Sequence, residues 1–198
     1  CLTLGSLQTV RSWDSAGELL ATLGEHTAAV RALVIHQDGR VISGGADKTV
    51  RIWSSEGEPV ATLEGHQDTV YALAVHPDGR IISGAGTTEE SKTIIIWSAV
   101  GELLLTLEQT EPAWALAVHS DGRIISSAHA NVRLWTSAGE PLSTLEAQVP
   151  ITHRNWRHTV TALAVHTDGR ILAGYDDRYS KGHYICTWDA GSHPYLHP

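Results

Sequence analysis

Twelve histidines are the side chains best equipped for chemistry in this sequence. Imidazoles bind transition metals and move protons near neutral pH. Four of them, His36, His76, His119 and His166, occupy equivalent places, each followed by x-Asp-Gly-Arg. Equivalent places in neighbouring layers of strands stand about 10 Å apart, too far to share one ion through bonds of about 2 Å. A structural role in turns is expected for them. Asp38, Asp78, Asp121 and Asp168 are expected to cap the same turns. Arg40, Arg80, Arg123 and Arg170 are expected to pair with those carboxylates or with an adjacent repeat. His153, His158 and His183 lie in variable stretches, with His193 and His197 in the tail, and no spacing among them specifies a metal. The acidic pairs Glu89-Glu90 and Asp176-Asp177 have the composition of an acid–base couple. In exposed loops such pairs are solvated charge. No Gly-x-Ser-x-Gly, phosphate loop or Cys-His nucleophile pair occurs. The expectation is a protein with no catalysis, no metal and no cofactor.

The elements that carry these residues repeat. VRALVIHQDGRVIS at 30–43 returns as VYALAVHPDGRIIS at 70–83, AWALAVHSDGRIIS at 113–126 and VTALAVHTDGRILA at 160–173. Trp53, Trp97, Trp135 and Trp188 follow the four copies, and Trp13 marks a fifth unit without its first part. The repeated histidine advances by 40, 43 and 47 residues, a period that means one supersecondary unit sharing a core with its neighbours. Within a unit, the apolar run Val30–Ile35 predicts a strand buried on both faces. Asp38-Gly39 predicts a hairpin turn. Val41–Ser43 is a second strand, the β-branched, alternating Thr49–Trp53 a third, and Val60–Leu63 an outer fourth after the Gly57-Glu58 turn. Four antiparallel strands in about 40 residues make the blade of a β-propeller, an all-β fold.

Composition narrows the function. The 198 residues are 42% hydrophobic and 18% charged, as in a globular domain. A formal net charge of −8 argues against nucleic-acid binding. Apolar runs of about five residues are far short of a membrane span. Cys1 and Cys186 give no disulfide framework, so a cytoplasmic or otherwise intracellular setting is expected.

The unit resembles a WD40 repeat. Gly65-His66 stands before a first strand, Asp38-Gly39 follows one, and Ser43-Gly-Gly-Ala-Asp47 and Trp13-Asp14 match the remaining motif positions. The resemblance implies a tetrad of His, Ser or Thr, Asp and Trp hydrogen-bonded inside each blade. His26, Ser43, Asp47 and Trp53 form the one full set. The next unit has His66, Ser83 and Trp97, with Ser91 where Asp is expected. The third has Ser126 and Trp135, with Gln109 and His129 at the other two places. The fourth has Trp188, Ala173 at the Ser place, and His158 out of register.

Differences between units carry the functional signal. From the repeated His to the next Trp the spacings are 17, 21, 16 and 22, and from Trp to the next repeated His 23, 23, 22 and 31. The extra residues fall in 84–93, 174–183 and 146–159. In an up-and-down blade these connections share a face, opposite the near-constant His-x-Asp-Gly-Arg and Ser-Ala-Gly-Glu turns. Insertions on one face point to a binding face. The inner strands open with Arg31, Tyr71, Trp114 and Thr161, a position that in WD40 proteins lies near the channel entrance and touches partners. Arg, Tyr and Trp are favoured anchors. With Trp156, Asp176 and Tyr179 from the variable stretches, Arg31, Tyr71 and Trp114 form the expected partner site. The leading expectation is a non-catalytic scaffold that binds a protein or peptide, with no nucleic-acid or membrane role. A basic or amphipathic peptide suits the acidic balance. The alternatives are a small-ligand or carbohydrate-binding propeller using Glu89, His153, Trp156, Asp176, Asp177 and Tyr179, or a purely structural arc. The units run 1–23 (partial), 24–63, 64–107, 108–145 and 146–198. The last has a weak outer strand, because prolines crowd its tail. Cys1 aligns with Val41 in mid-strand, so a piece of a longer protein and a larger ring are expected.

Overall fold

A computed structural model describes residues 2–4, 8–24, 26–87, 91–146, 159–176, 184–188 and 194–197. Every regular element among them is a strand. The first sheet has β1 (Leu2–Leu4), β2 (Thr9–Trp13) and β3 (Leu19–Gly24), in that order. The second unit is β4 (Val30–Ile35), β5 (Val41–Gly45), β6 (Val50–Trp53) and β7 (Pro59–Leu63). The third is β8 (Val70–Val75), β9 (Ile81–Ala85), β10 (Thr93–Trp97) and β11 (Leu103–Glu108). The fourth is β12 (Leu116–Val118), β13 (Ile124–Ala128), β14 (Asn131–Trp135) and β15 (Pro141–Leu145). The fifth is β16 (Thr159–Val165), β17 (Ile171–Asp176), β18 (Tyr184–Trp188) and β19 (Pro194–His197). Each of the last four is an antiparallel meander with strands in chain order.

Register repeats with sequence. Ser43 pairs with Arg51, Ser83 with Ile95, Ser126 with Arg133 and Ala173 with Cys186, so the four positions are structurally equivalent. β19 pairs with β18 despite its proline. Pro194 opens the edge strand, as Pro59 and Pro141 open β7 and β15, where a missing N–H costs the ladder little.

The core lies between sheets, not within them. Ile42, Val50, Ile52 and Leu63 of one unit bury against Val70, Ile81, Ile95 and Trp97 of the next. Ala72, Ala74 and Ile94 bury against Ala113, Leu116 and Trp135. Val132 and Leu134 bury against Val160, Ala173 and Trp188. Val10 and Leu23 of the three-stranded sheet meet Val30, Val41 and Trp53. Each tryptophan thus closes the junction with the unit before it.

The expectation that Val30–Ile35 is buried on both faces fails. Along β4 only Val30 is buried, and Ile35 is 59% exposed. The equivalent Val75 packs into the junction with the preceding unit. The physical reason is a missing neighbour: the sheet before β4 has no inner strand among the described residues.

Candidate functional site

Three side-chain systems recur around the fold. Inside the second unit, the Trp53 indole N–H donates to Ser43 Oγ at 2.9 Å, and Ser43 lies 2.7 Å from His26 Nε2. His26 Nδ1 is 2.9 Å from Asp47. The Thr27 amide and the Thr49 hydroxyl also donate to Asp47. Burial of His26 lowers its pKa more than Asp47 raises it. Burial opposes ionisation of Asp47, but hydrogen bonds from Thr27, Thr49 and His26 hold its pKa below the usual range. The consistent state is a neutral imidazole beside a carboxylate. It gives a one-way relay from Trp N–H through Ser O–H and His N–H to Asp.

The relay then degrades unit by unit. In the third, Trp97 donates to Ser83 at 2.7 Å and His66 Nε2 lies 2.6 Å from Ser83. His66 Nδ1 meets Thr93 Oγ1 at 3.1 Å, so Thr93 fills the Asp role, not the aligned Ser91. Burial depresses the His66 pKa to about 4. Ser91 instead donates to Asp68, which also binds the Thr87 amide and hydroxyl. In the fourth, Trp135 donates to Ser126, and Ser126 donates to Gln109 Oε1 at 3.0 Å. The buried Gln109 Nε2 has no partner among the described residues. His129, aligned with Asp, points instead to Glu111 at 3.1 Å. In the fifth, Ala173 removes the hydroxyl and the Trp188 indole N–H is buried without a partner among the described residues. The His–Ser spacing of 17 falls on Trp156 in this unit. Trp156 and His158 lie outside the described residues.

On the constant face the repeated histidines join neighbours. His36 Nε2 donates to the Gly79 carbonyl at 2.9 Å, His76 to Gly122 at 3.0 Å and His119 to Gly169 at 3.1 Å. Each Nδ1 sits beside its own turn aspartate, 2.7 Å in the case of Asp38. Partial burial works against the Asp38 carboxylate, but the Arg40 amide, His36 and the Arg40 guanidinium hold it at about 2. Each turn arginine reaches its aspartate through Nε, and Arg80 also donates to the Ser137 carbonyl of the next unit at 2.7 Å.

The third system is on the other face. Asp68, in the connection before β8, binds Thr87 and Ser91 in the β9–β10 connection, so the two kinds of variable connection meet. Lys92 Nζ donates to the Thr110 carbonyl of the following unit at 2.8 Å. On this side the starts of four inner strands surround a cavity of 310 Å³ lined by Arg31, Leu33, Tyr71, Trp114, Ala162 and Leu163 among others. The Tyr71 and Trp114 rings lie 4.5 Å apart, tilted by 52°. Both are half-buried and Arg31 is exposed. Arg31, Tyr71 and Trp114 therefore share one cavity. Asp176 ends β17 opposite Thr159 and is half-buried. Tyr179 lies outside the described residues, as do Glu89, His153 and Asp177.

A smaller cavity of 260 Å³ within the fourth unit is lined by Thr110, Glu111, His129, Asn131, Arg133 and Thr144. Arg133 donates to Thr110 Oγ1 at 2.9 Å. Nothing in the spacing of Glu111 or Arg133 marks this grouping, which arises only when β14 folds back beside the 109–112 connection.

Residues 17–54 and 57–98 match the family described as WD domain, G-beta repeat. No curated protein matches the chain. Among solved structures, the WD40 β-propeller domain of Doa1 superposes with a TM-score of 0.71 at 23% identity, covering 88% of this chain. The chain spans 57% of that one. In all, 738 solved chains match, so the fold is too widespread to select a function. WD40 propellers generally mediate protein interactions and are generally non-catalytic. Residues 17–54 and 57–98 are thus WD40 repeats, and the chain shares the fold of a WD40 β-propeller.

Proposed function

We propose that the chain is a non-catalytic platform that binds a peptide or protein partner on the face of the variable connections, with Arg31, Tyr71 and Trp114 as anchors. The observation that carries this reading is the shared cavity of those three side chains, with the two rings in contact. Aromatic and arginine side chains at the centre of a concave, pre-formed surface supply contact area at low ordering cost. Asp176, at the end of β17 opposite Thr159, is proposed as a further contact; Trp156 and Tyr179, proposed with it from the sequence, lie outside the described residues. The net charge of −8 favours a basic or amphipathic peptide.

The test is selection of binders from a displayed peptide library on the immobilised chain, followed by titration against variants. Trp114→Ala and Tyr71→Ala are each expected to weaken the selected peptides by at least about tenfold, with the melting temperature kept within a few degrees. Peptides indifferent to both substitutions would overturn the reading. Selective capture of a glycan or small molecule would favour a ligand-binding propeller.

A further inference from the structure

The inner strands open with a shared irregularity. Ladder pairing skips Arg31 between Val30 and Ala32, Tyr71 between Val70 and Ala72, and Thr161 between Val160 and Ala162. Each is a β-bulge, a device that breaks strand alternation and re-aims a side chain. Trp114, the fourth equivalent, stands ahead of β12, where the Ala115 amide donates to the buried Ser127 Oγ at 3.0 Å. Residues exempt from the ladder thus supply Arg31, Tyr71 and Trp114 to one cavity.

The charge at this cavity is opposite to the charge of the chain. Among the described residues that line it, Arg31 alone is charged. Its guanidinium makes no ion pair among the described residues. The turn arginines Arg40, Arg80, Arg123 and Arg170 each hold an aspartate. An unpaired guanidinium offers a planar fork that fits a carboxylate through two parallel N–H bonds. The half-buried Tyr71 and Trp114 rings, in contact at 4.5 Å, supply an apolar wall in the same cavity.

We infer that this cavity takes an Asp or Glu side chain of the partner peptide, with its carboxylate on Arg31 and a neighbouring apolar residue against Tyr71 and Trp114. The inference rests on the peptide-binding reading proposed above and narrows it. The net charge of −8 acts at longer range and favours basic residues on either side of the acidic one. The contact itself is set by Arg31. The cavity is open to solvent, so a peptide can run past it in both directions. An internal side chain, not a chain terminus, therefore supplies the carboxylate.

The probe is a library of short peptides, acetylated and amidated at their ends, with lysine-containing random flanks and every pair of residues at two central places. It is captured on the immobilised chain and sequenced. The expected enrichment is Asp or Glu at one central place and an apolar residue at the other. Replacing the acid by its amide in the best binder is expected to weaken binding by at least about tenfold, as for loss of a charge-assisted hydrogen bond. In Arg31→Ala the acid and amide peptides are expected to bind within about twofold of each other, with the apolar preference kept. Arg31→Glu is expected to switch the acidic place to Lys or Arg, a change that mere loss of structure does not produce. Peptides that depend on Trp114 but show no acidic preference overturn this inference and leave the platform reading standing. An acidic preference unaltered by Arg31→Glu does the same. A free-acid library that binds where the amidated one fails overturns the internal side chain as the source. Absence of any peptide that depends on Trp114 overturns the platform reading itself, and this inference with it.

Discussion

At Ser43 a single hydroxyl serves two buried partners, accepting from Trp53 and donating to His26. Ser43→Ala orphans both, and a buried unpaired polar group costs about 1–3 kcal/mol. Unfolding in urea should show a loss of about 2–3 kcal/mol. Ala173→Ser works in the opposite direction, because it offers Trp188 the acceptor it lacks. A gain of up to about 1 kcal/mol is expected, and a loss would mean the site has no room for the oxygen. Part of this was legible: the alignment of Ser43, Ser83 and Ser126 follows directly from the repeat. Thr93 was not, because Ser91 stands as far before Trp97 as Asp47 does before Trp53, while Thr93 aligns with Thr49. Gln109 at the His place was legible from the sequence too; the geometry adds that its Oε1 takes the place of an imidazole nitrogen.

Between elements, the constant turns act as joints as well as caps. Gly122 has φ +90, and a Cβ there would lie 2.9 Å from His76 Nε2. Gly17 has φ +87 with nothing within 4 Å of its Cβ position. Both glycines carry the left-handed backbone cost of about 1–2 kcal/mol when replaced by alanine. Only Gly122→Ala also displaces a latch. Gly122→Ala should therefore destabilise the chain by at least about 1 kcal/mol more than Gly17→Ala; equal losses in urea titrations would deny the latch a role. The turns were legible from Asp-Gly alone. Their partners were not, since the bond from His36 to Gly79 spans 43 residues and both ends look like ordinary turn residues. Exposure of Ile35 was equally hidden, because an apolar run reads as buried until the neighbouring sheet is seen to have no inner strand among the described residues.

For the whole molecule, the propeller follows from repetition, because each sheet buries its apolar faces only against another of its kind. That made the fold readable from four phased copies. The partner is less readable, since the repeats carry packing and only the departures from them carry recognition. The departures at Arg31, Tyr71 and Trp114 converge, and the central claim is that this convergence is where a partner docks. Hydroxyl-radical footprinting of the chain with a selected peptide bound tests it most directly. The account predicts protection of Tyr71 and Trp114 with unchanged labelling of the His-x-Asp-Gly turns. Protection of those turns, with Tyr71 and Trp114 labelled as in the free chain, would contradict it.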